Sequence, residues 1–414
     1  MRVFAFAFAI LFPVTIWAQS NTAAVQQLEA AARRDLAARN AVAALSDYQK
    51  LADLVPQSAA YQDQIGFLLA ATNRASDAVP HFERATQLDA KFAQAWFHLG
   101  VARLILQQAS GISDLQKAVA LEPENADYQF RLGTAYAEGG NFGAAVPHLR
   151  AAAKGMPNKA AVWGSLGDAL QKTGQFKASR DAYAQAVRLD PNNTAARNSY
   201  ASMLIKCGDL AAGLAQFKKI LERDPGNEHV QVNVGYALIG AGQYKQAVEY
   251  LSQVVKKHPD AGDAHYNLGV AYKQTDDLQR ARTELEQAVK YAPSIVEAHY
   301  VLATTCVDLG DTKEAISELR TAVQQRPNYS DAWFELGMVL KDQGDVDGAI
   351  QALQKSVELD ATDAGAFNTL GLLLKRKGDV DGSKQAFAKA AALRAAEAEA
   401  KRKKLEQGTP KPTQ

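Results

Sequence analysis

The side chains best suited to metal binding or nucleophilic chemistry in this 414-residue chain are seven histidines and two cysteines. Their spacing does not assemble a site. His265 and His299 lie 34 residues apart, and His81 and His148 lie 67 apart. Such intervals place the members of a pair at the same point of different structural units. No His-Glu-x-x-His stretch, CxxC pair, Gly-rich phosphate loop or Gly-x-Ser-x-Gly elbow occurs, so the common zinc, thiol, nucleotide and serine chemistries have no motif to stand on. Cys207 and Cys306 are 99 residues apart, and a disulfide needs Cα atoms within ~7 Å. Both read as unpaired core thiols near helix ends. No metal, cofactor or catalytic residue is expected.

What positions these residues is a repeat. From Val25 to Glu397 the chain divides into eleven consecutive units, ten of 34 residues and one of 33, starting at 25, 59, 93, 126, 160, 194, 228, 262, 296, 330 and 364. Proline marks the close of most units, from Pro56 through Pro123, Pro157 and Pro191 to Pro327. Gly140, Gly174, Gly208, Gly242, Gly310, Gly344 and Gly378 mark a second register, with Asp276 in the skipped slot. A third runs from Gly66 and Gly100 to Gly337 and Gly371. Three rulers in one phase mean a stacked array.

Within a unit the apolar spacing is helical twice over. Ala264, Leu268, Ala271 and Tyr272 share one face, and Ala281, Leu285, Ala288 and Val289 share another, as amphipathic helices require. The second glycine register falls between the two helices, where a left-handed residue ends the first. The aspartates that follow, Asp209, Asp311, Asp345 and Asp379, suit the start of the second. The small residue inside the first helix is expected to face a small one in the second, Gly269 with Ala281 and Gly337 with Ala349. The 33-residue unit loses its residue around Leu106 to Ile112, where a distorted crossing is expected.

This pattern resembles the tetratricopeptide repeat (TPR) family. The fifth unit matches the family motif with Trp163, Leu166, Gly167, Leu170, Tyr183, Ala186 and Pro191, and the eighth with Leu268, Gly269, Tyr272, Ala281, Leu285, Ala288 and Pro293. The resemblance implies an all-α, right-handed superhelical solenoid of about eleven helix-turn-helix units. It also implies that first helices line a concave side that binds protein segments. On that reading the second, fifth, ninth and twelfth positions of each first helix face the groove. They give two aromatic clusters: Phe67, Phe97, Val101 and Phe130, then Val232, Tyr236, Tyr266, Val270, Tyr300, Phe334 and Met338. The competing reading is that these side chains fill space between first helices. Asn233 and Asn267 repeat at the sixth position, as in members that grip a peptide backbone. Asp263, Glu297 and Asp331 at the second position and Lys273, Lys341 and Lys375 at the twelfth border the second cluster; helix-dipole preference explains them as readily as a ligand does. Lysine is absent from every fifth position, so a chaperone-tail clamp is not expected. His265 and His299 share the phase of Trp96, Trp163 and Trp333 and read as packing spacers.

The ends differ from the array. Arg2 precedes an apolar run from Val3 to Ile16 and then Trp17-Ala18-Gln19, the form of a secretory signal (1–18) cleaved after Ala18. An uncleaved N-terminal membrane anchor is the alternative. Residues 19–24 are a short lead-in. Residues 391–414 carry six Lys/Arg and three Asp/Glu in a chain of net charge +1, which leaves the body at −2. That balance is a poor nucleic-acid footprint. The segment from Ala391 to Glu406 reads as a helix capping the last unit, with 398–414 ending in a disordered tail. The sequence therefore points to an exported, periplasmic, non-catalytic scaffold that binds a protein or peptide partner. The alternative is an accessory subunit of envelope polysaccharide synthesis, secretion or outer-membrane assembly.

Overall fold

A computed structural model of the chain describes residues 12–408, with side chains over 22–403. The signal reading falls outside those side chains, and the tail from 409 falls outside the described residues altogether. Among the described residues the fold is all-α, and no helix is long and apolar enough to cross a membrane.

Two compact units divide the chain, Met1–Asp209 and Leu210–Gln414. The N-terminal unit holds α1 (Phe12–Ala37), α2 (Ala41–Leu54), α3 (Ala59–Ala71), α4 (Ala75–Leu88), α5 (Ala93–Ile105), α6 (Ser110–Leu121), α7 (Ala126–Glu138), α8 (Phe142–Gly155), α9 (Ala160–Lys172), α10 (Phe176–Leu189) and α11 (Thr194–Lys206). The C-terminal unit holds α12 (Leu210–Leu221), α13 (Glu228–Gly240), α14 (Tyr244–Lys257), α15 (Gly262–Gln274), α16 (Leu278–Tyr291), α17 (Val296–Asp308), α18 (Thr312–Gln325), α19 (Ser330–Gln343), α20 (Val346–Leu359), α21 (Ala364–Lys377) and α22 (Val380–Gly408). In each unit a helix packs on its chain neighbours, and first helices also touch along the stack, as α3 touches α5 and α13 touches α15.

Local chemistry sets the boundaries. The turn between paired helices needs one left-handed residue, supplied by glycine from Gly140 to Gly378 and by Asp276 at φ 62° in the skipped slot. Asp311, Asp345 and Asp379 then accept from the backbone N–H three residues on, at 3.2, 2.9 and 2.9 Å, which satisfies one of the unpaired donors of the new helix. The first-helix glycine faces the backbone of the small residue expected and, closer still, a large side chain one turn further on. A Cβ on Gly269 would lie 2.6 Å from Leu285 Cγ and 3.2 Å from the Ala281 carbonyl. Where the first helix carries this glycine, the crossing is thus a leucine or aromatic knob seated on bare backbone.

Two expectations change. The short third repeat keeps its crossing: α6 has 12 residues against 14 in α8, and Gly111 lets its backbone meet Gly100 closely, each glycine facing the other's carbonyl. The C-terminal segment is not a cap laid over the last repeat. It continues α22, whose last buried side chain is Ala390; from 391 to 403 only Leu393 is even partly covered.

Candidate functional site

The fourth position of the first helix holds Trp96, Gln129, Trp163, Arg197, Gln231, His265, His299 and Trp333 in eight successive repeats. These residues share an N–H donor, and all use it alike. Each donates to the carbonyl six residues earlier, the proline (Ala90 for Trp96) that closes the preceding repeat, over 2.7 to 3.3 Å. That carbonyl lies beyond the preceding helix, so no helical N–H is aligned to reach it. His265 and His299 are therefore buried, as their packing position implies, and are in addition bonded to the inter-repeat turn.

The same position reaches the second helix nineteen residues on. His265 Nδ1 meets Glu284 and His299 Nδ1 meets Glu318, both at 2.6 Å. Carboxylate and carbonyl can only accept, so this arrangement favours the form in which both ring nitrogens carry protons. Burial pulls the pKa of His265 down, but the Glu284 bond, the Pro259 carbonyl and the carboxylate charge raise it overall. For His299 the Glu318 bond dominates and the result is again a raised pKa. In two other repeats the partners are exchanged: His81 Nδ1 donates to Gln62 at 2.8 Å and His148 Nδ1 to Gln129 at 2.7 Å. Burial lowers the pKa of both. These four histidines thus each bond a side chain of their own repeat, and no cluster among the described residues could hold a metal ion. Cys306 is buried, its thiol pushed up to about 12 by burial. Cys207 is only half-buried, at the end of α11 where the chain leaves the core.

The first aromatic cluster lies in the N-terminal unit. Phe67 is 45% exposed. Phe97 stacks on Tyr128 with ring centroids 4.7 Å apart. Phe130 packs against the core below it, with Lys159 over its ring at 5.3 Å. Phe67, Phe97, Val101 and Ile105 line a recess of about 290 Å³ that also takes in His98 and Arg131. The sequence reading passed over Ile105, His98 and Arg131. His98 bonds the fully buried Asp63 at 2.8 Å.

The second cluster lies in the C-terminal unit and is less uniform than its spacing suggested. Tyr236 is 67% exposed. Tyr266, Val270 and Met338 are half-buried. Tyr300 and Phe334 pack on the core of the last repeats, with the Tyr300 ring 5.1 Å from Tyr329. Asn267 is buried, whereas Asn233 is partly covered. Half of the charged border is ion-paired among the described residues: Lys273 bonds Asp308 at 2.9 Å and Thr304 at 2.8 Å, Glu297 bonds Arg326 at 2.7 Å, and Lys341 bonds Asp342 at 3.1 Å. Glu335, at the sixth position of α19, was also passed over. It is half-buried, and burial raises its pKa.

Three family models match this chain. One, described as the cytochrome c-type biogenesis protein H TPR domain, covers residues 147–266. Two described as tetratricopeptide repeats cover 238–305, and 109–160 with 300–364. The chain belongs to the tetratricopeptide repeat family. No curated protein sequence matches it significantly. This TPR protein is similar to several solved structures. MamA is 25% identical over 40% of this chain and 97% of its own, with a TM-score of 0.38. YrrB, described as a TPR protein with an unusual peptide-binding site, is 23% identical over 43% of this chain and 92% of its own, with a TM-score of 0.40. The human IFIT1 dimer with PPP-AAAA is 17% identical over 82% of this chain and 91% of its own, with a TM-score of 0.44.

Proposed function

We propose that this TPR protein is a non-catalytic scaffold that binds peptide or protein segments along the face of its first helices. TPR families are generally non-catalytic interaction modules. The observation that carries the reading is the exposure of Phe67 and Tyr236, 45% and 67%, at the ninth position of α3 and α13. Neither side chain is needed to fill its own unit, and large aromatics left in water favour an interface. Photocrosslinking from positions 67 and 236 in the native cell tests it. Covalent adducts with another protein are expected from both. No adduct at either position, with adducts elsewhere, moves binding to another surface.

The basic-then-apolar start of the chain supports export and cleavage after Ala18. Intact-mass measurement should then give a mature chain starting at Gln19, and a retained Met1 with membrane association favours the anchor. A second reading, an accessory subunit of an envelope assembly machine, draws support from the family model named for cytochrome c-type biogenesis. Adducts with membrane-embedded subunits would favour it.

A further inference from the structure

We propose that the recess between α3 and α5 takes a peptide segment carrying an acidic side chain beside an apolar one, with Arg131 reading the carboxylate. This rests on the segment-binding reading above and names the ligand's chemistry. Arg131 lines the recess with Phe67, Phe97, Val101 and Ile105. Its Nε is buried and has no hydrogen-bond partner among the described residues. Arg103, on the neighbouring α5, shows how this unit treats a guanidinium it uses internally: Glu83 and Asp114 each hold it at 2.5 Å. Arg131 has no such ion pair among the described residues. The buried acid Asp63 is bonded to His98 at 2.8 Å through one oxygen, and its other oxygen is buried without a hydrogen-bond partner among the described residues. The recess therefore offers apolar walls, two of them well exposed (Phe67 45%, Ile105 58%), and one cation without an ion pair among the described residues.

Arg131 lines the recess without an ion pair of its own among the described residues, and a ligand carboxylate supplies the counter-charge. A carboxylate also matches the planar fork of a guanidinium and its charge, which an amide or hydroxyl does not. A nucleic-acid backbone fits less well, because it calls for a stripe of cations and not one set in an apolar recess.

Short random peptides displayed on phage and selected on the full chain provide the probe. Binders lost on Phe67→Ser should carry Asp or Glu within one helical turn of an apolar residue. Replacing that acid by its amide, and Arg131→Gln, should each weaken binding at least about ten-fold, without additivity. The peptide substitution needs no change in the protein, so it stands even where Arg131→Gln disturbs folding. Phe67-dependent binders with no acidic preference, or with affinity unmoved by both substitutions, overturn the inference and leave segment binding standing. Loss on amidating only the peptide C-terminus also overturns it, in favour of end capture. A selection that yields no binder removes both readings.

Discussion

His299 Nδ1 lies 2.6 Å from a Glu318 carboxylate oxygen while its Nε2 faces the Pro293 carbonyl at 3.3 Å. His265 repeats the arrangement one repeat earlier with Glu284 and Pro259. The folded chain thus holds two imidazole rings between second-helix carboxylates and turn carbonyls, a setting that favours their protonated form.

The sign of the pH effect follows. Both folded pKa values lie above the ordinary 6.5. Their stabilisation is complete below about pH 6.5 and is lost as pH rises through the raised values. His81 and His148, lowered by burial, act oppositely: their contribution holds above pH 6.5 and falls away in acid. Thermal melts from pH 5.5 to 8.5 should show His265→Gln with His299→Gln removing loss on the alkaline side, and His81→Gln with His148→Gln removing loss on the acid side. Unchanged slopes in both variants would mean that the pairs do not titrate with folding.

The fourth-position donors differ in what else they hold. Trp163 makes one bond, to the exposed Pro157, where water can replace it. Trp163→Phe should cost about 0.5–1 kcal/mol. Gln129, itself buried, bridges the Pro123 carbonyl and His148 Nδ1. Gln129→Leu leaves a half-buried ring nitrogen of His148 and the Pro123 carbonyl without this partner and should cost about 2 kcal/mol. Urea titration followed by circular dichroism separates the two, and equal costs would show the bridge to be incidental.

These donors mark where the sequence was legible and where it was not. Period, helix pairing and left-handed turns were readable because glycine and proline report backbone conformation directly, down to Asp276 in a glycine slot. The fourth position looked like a mixture of unrelated residues. Tryptophan, glutamine, arginine and histidine share only a side-chain N–H at similar reach, which hydrophobic periodicity does not register. Counting donors at that phase would have found it. The groove positions were legible as a stripe but not as exposed or covered, because exposure at Tyr236 or Tyr300 depends on the next first helix. Arg131 was hidden for another reason: an unmet donor exists only once every neighbour is placed.

Two glycines on first helices should respond oppositely to alanine. At Gly100 a Cβ would lie 2.8 Å from the Gly111 carbonyl, and backbone cannot yield as a side-chain tip can. Gly100→Ala should destabilise by about 2–3 kcal/mol through overpacking. At Gly164, inside α9, nothing lies within 4 Å of an added Cβ. Gly164→Ala should stabilise by about 0.5–1 kcal/mol through helix propensity. Both are read as shifts in urea midpoint at constant slope. A neutral Gly100→Ala would show that the α5–α6 contact is looser than described.

The exposed and covered members of the second aromatic cluster separate binding from folding. Tyr236 is 67% exposed, so Tyr236→Ala should change stability by less than about 0.5 kcal/mol. If it anchors a partner, its truncation should cost about 2 kcal/mol, close to a thirty-fold loss of affinity. Tyr300 packs on the core of the last repeats and against Tyr329. Tyr300→Ala should therefore lower stability by about 2 kcal/mol and weaken binding as well. Affinity for the partner crosslinked from position 236, measured beside unfolding for each variant, gives two independent axes. A binding loss in Tyr236→Ala without loss of stability assigns the exposed tyrosine to the interface. Should Tyr236→Ala bind as the parent does, while Tyr300→Ala loses affinity only in proportion to its unfolded fraction, the cluster is scaffold and the proposed binding face is wrong there.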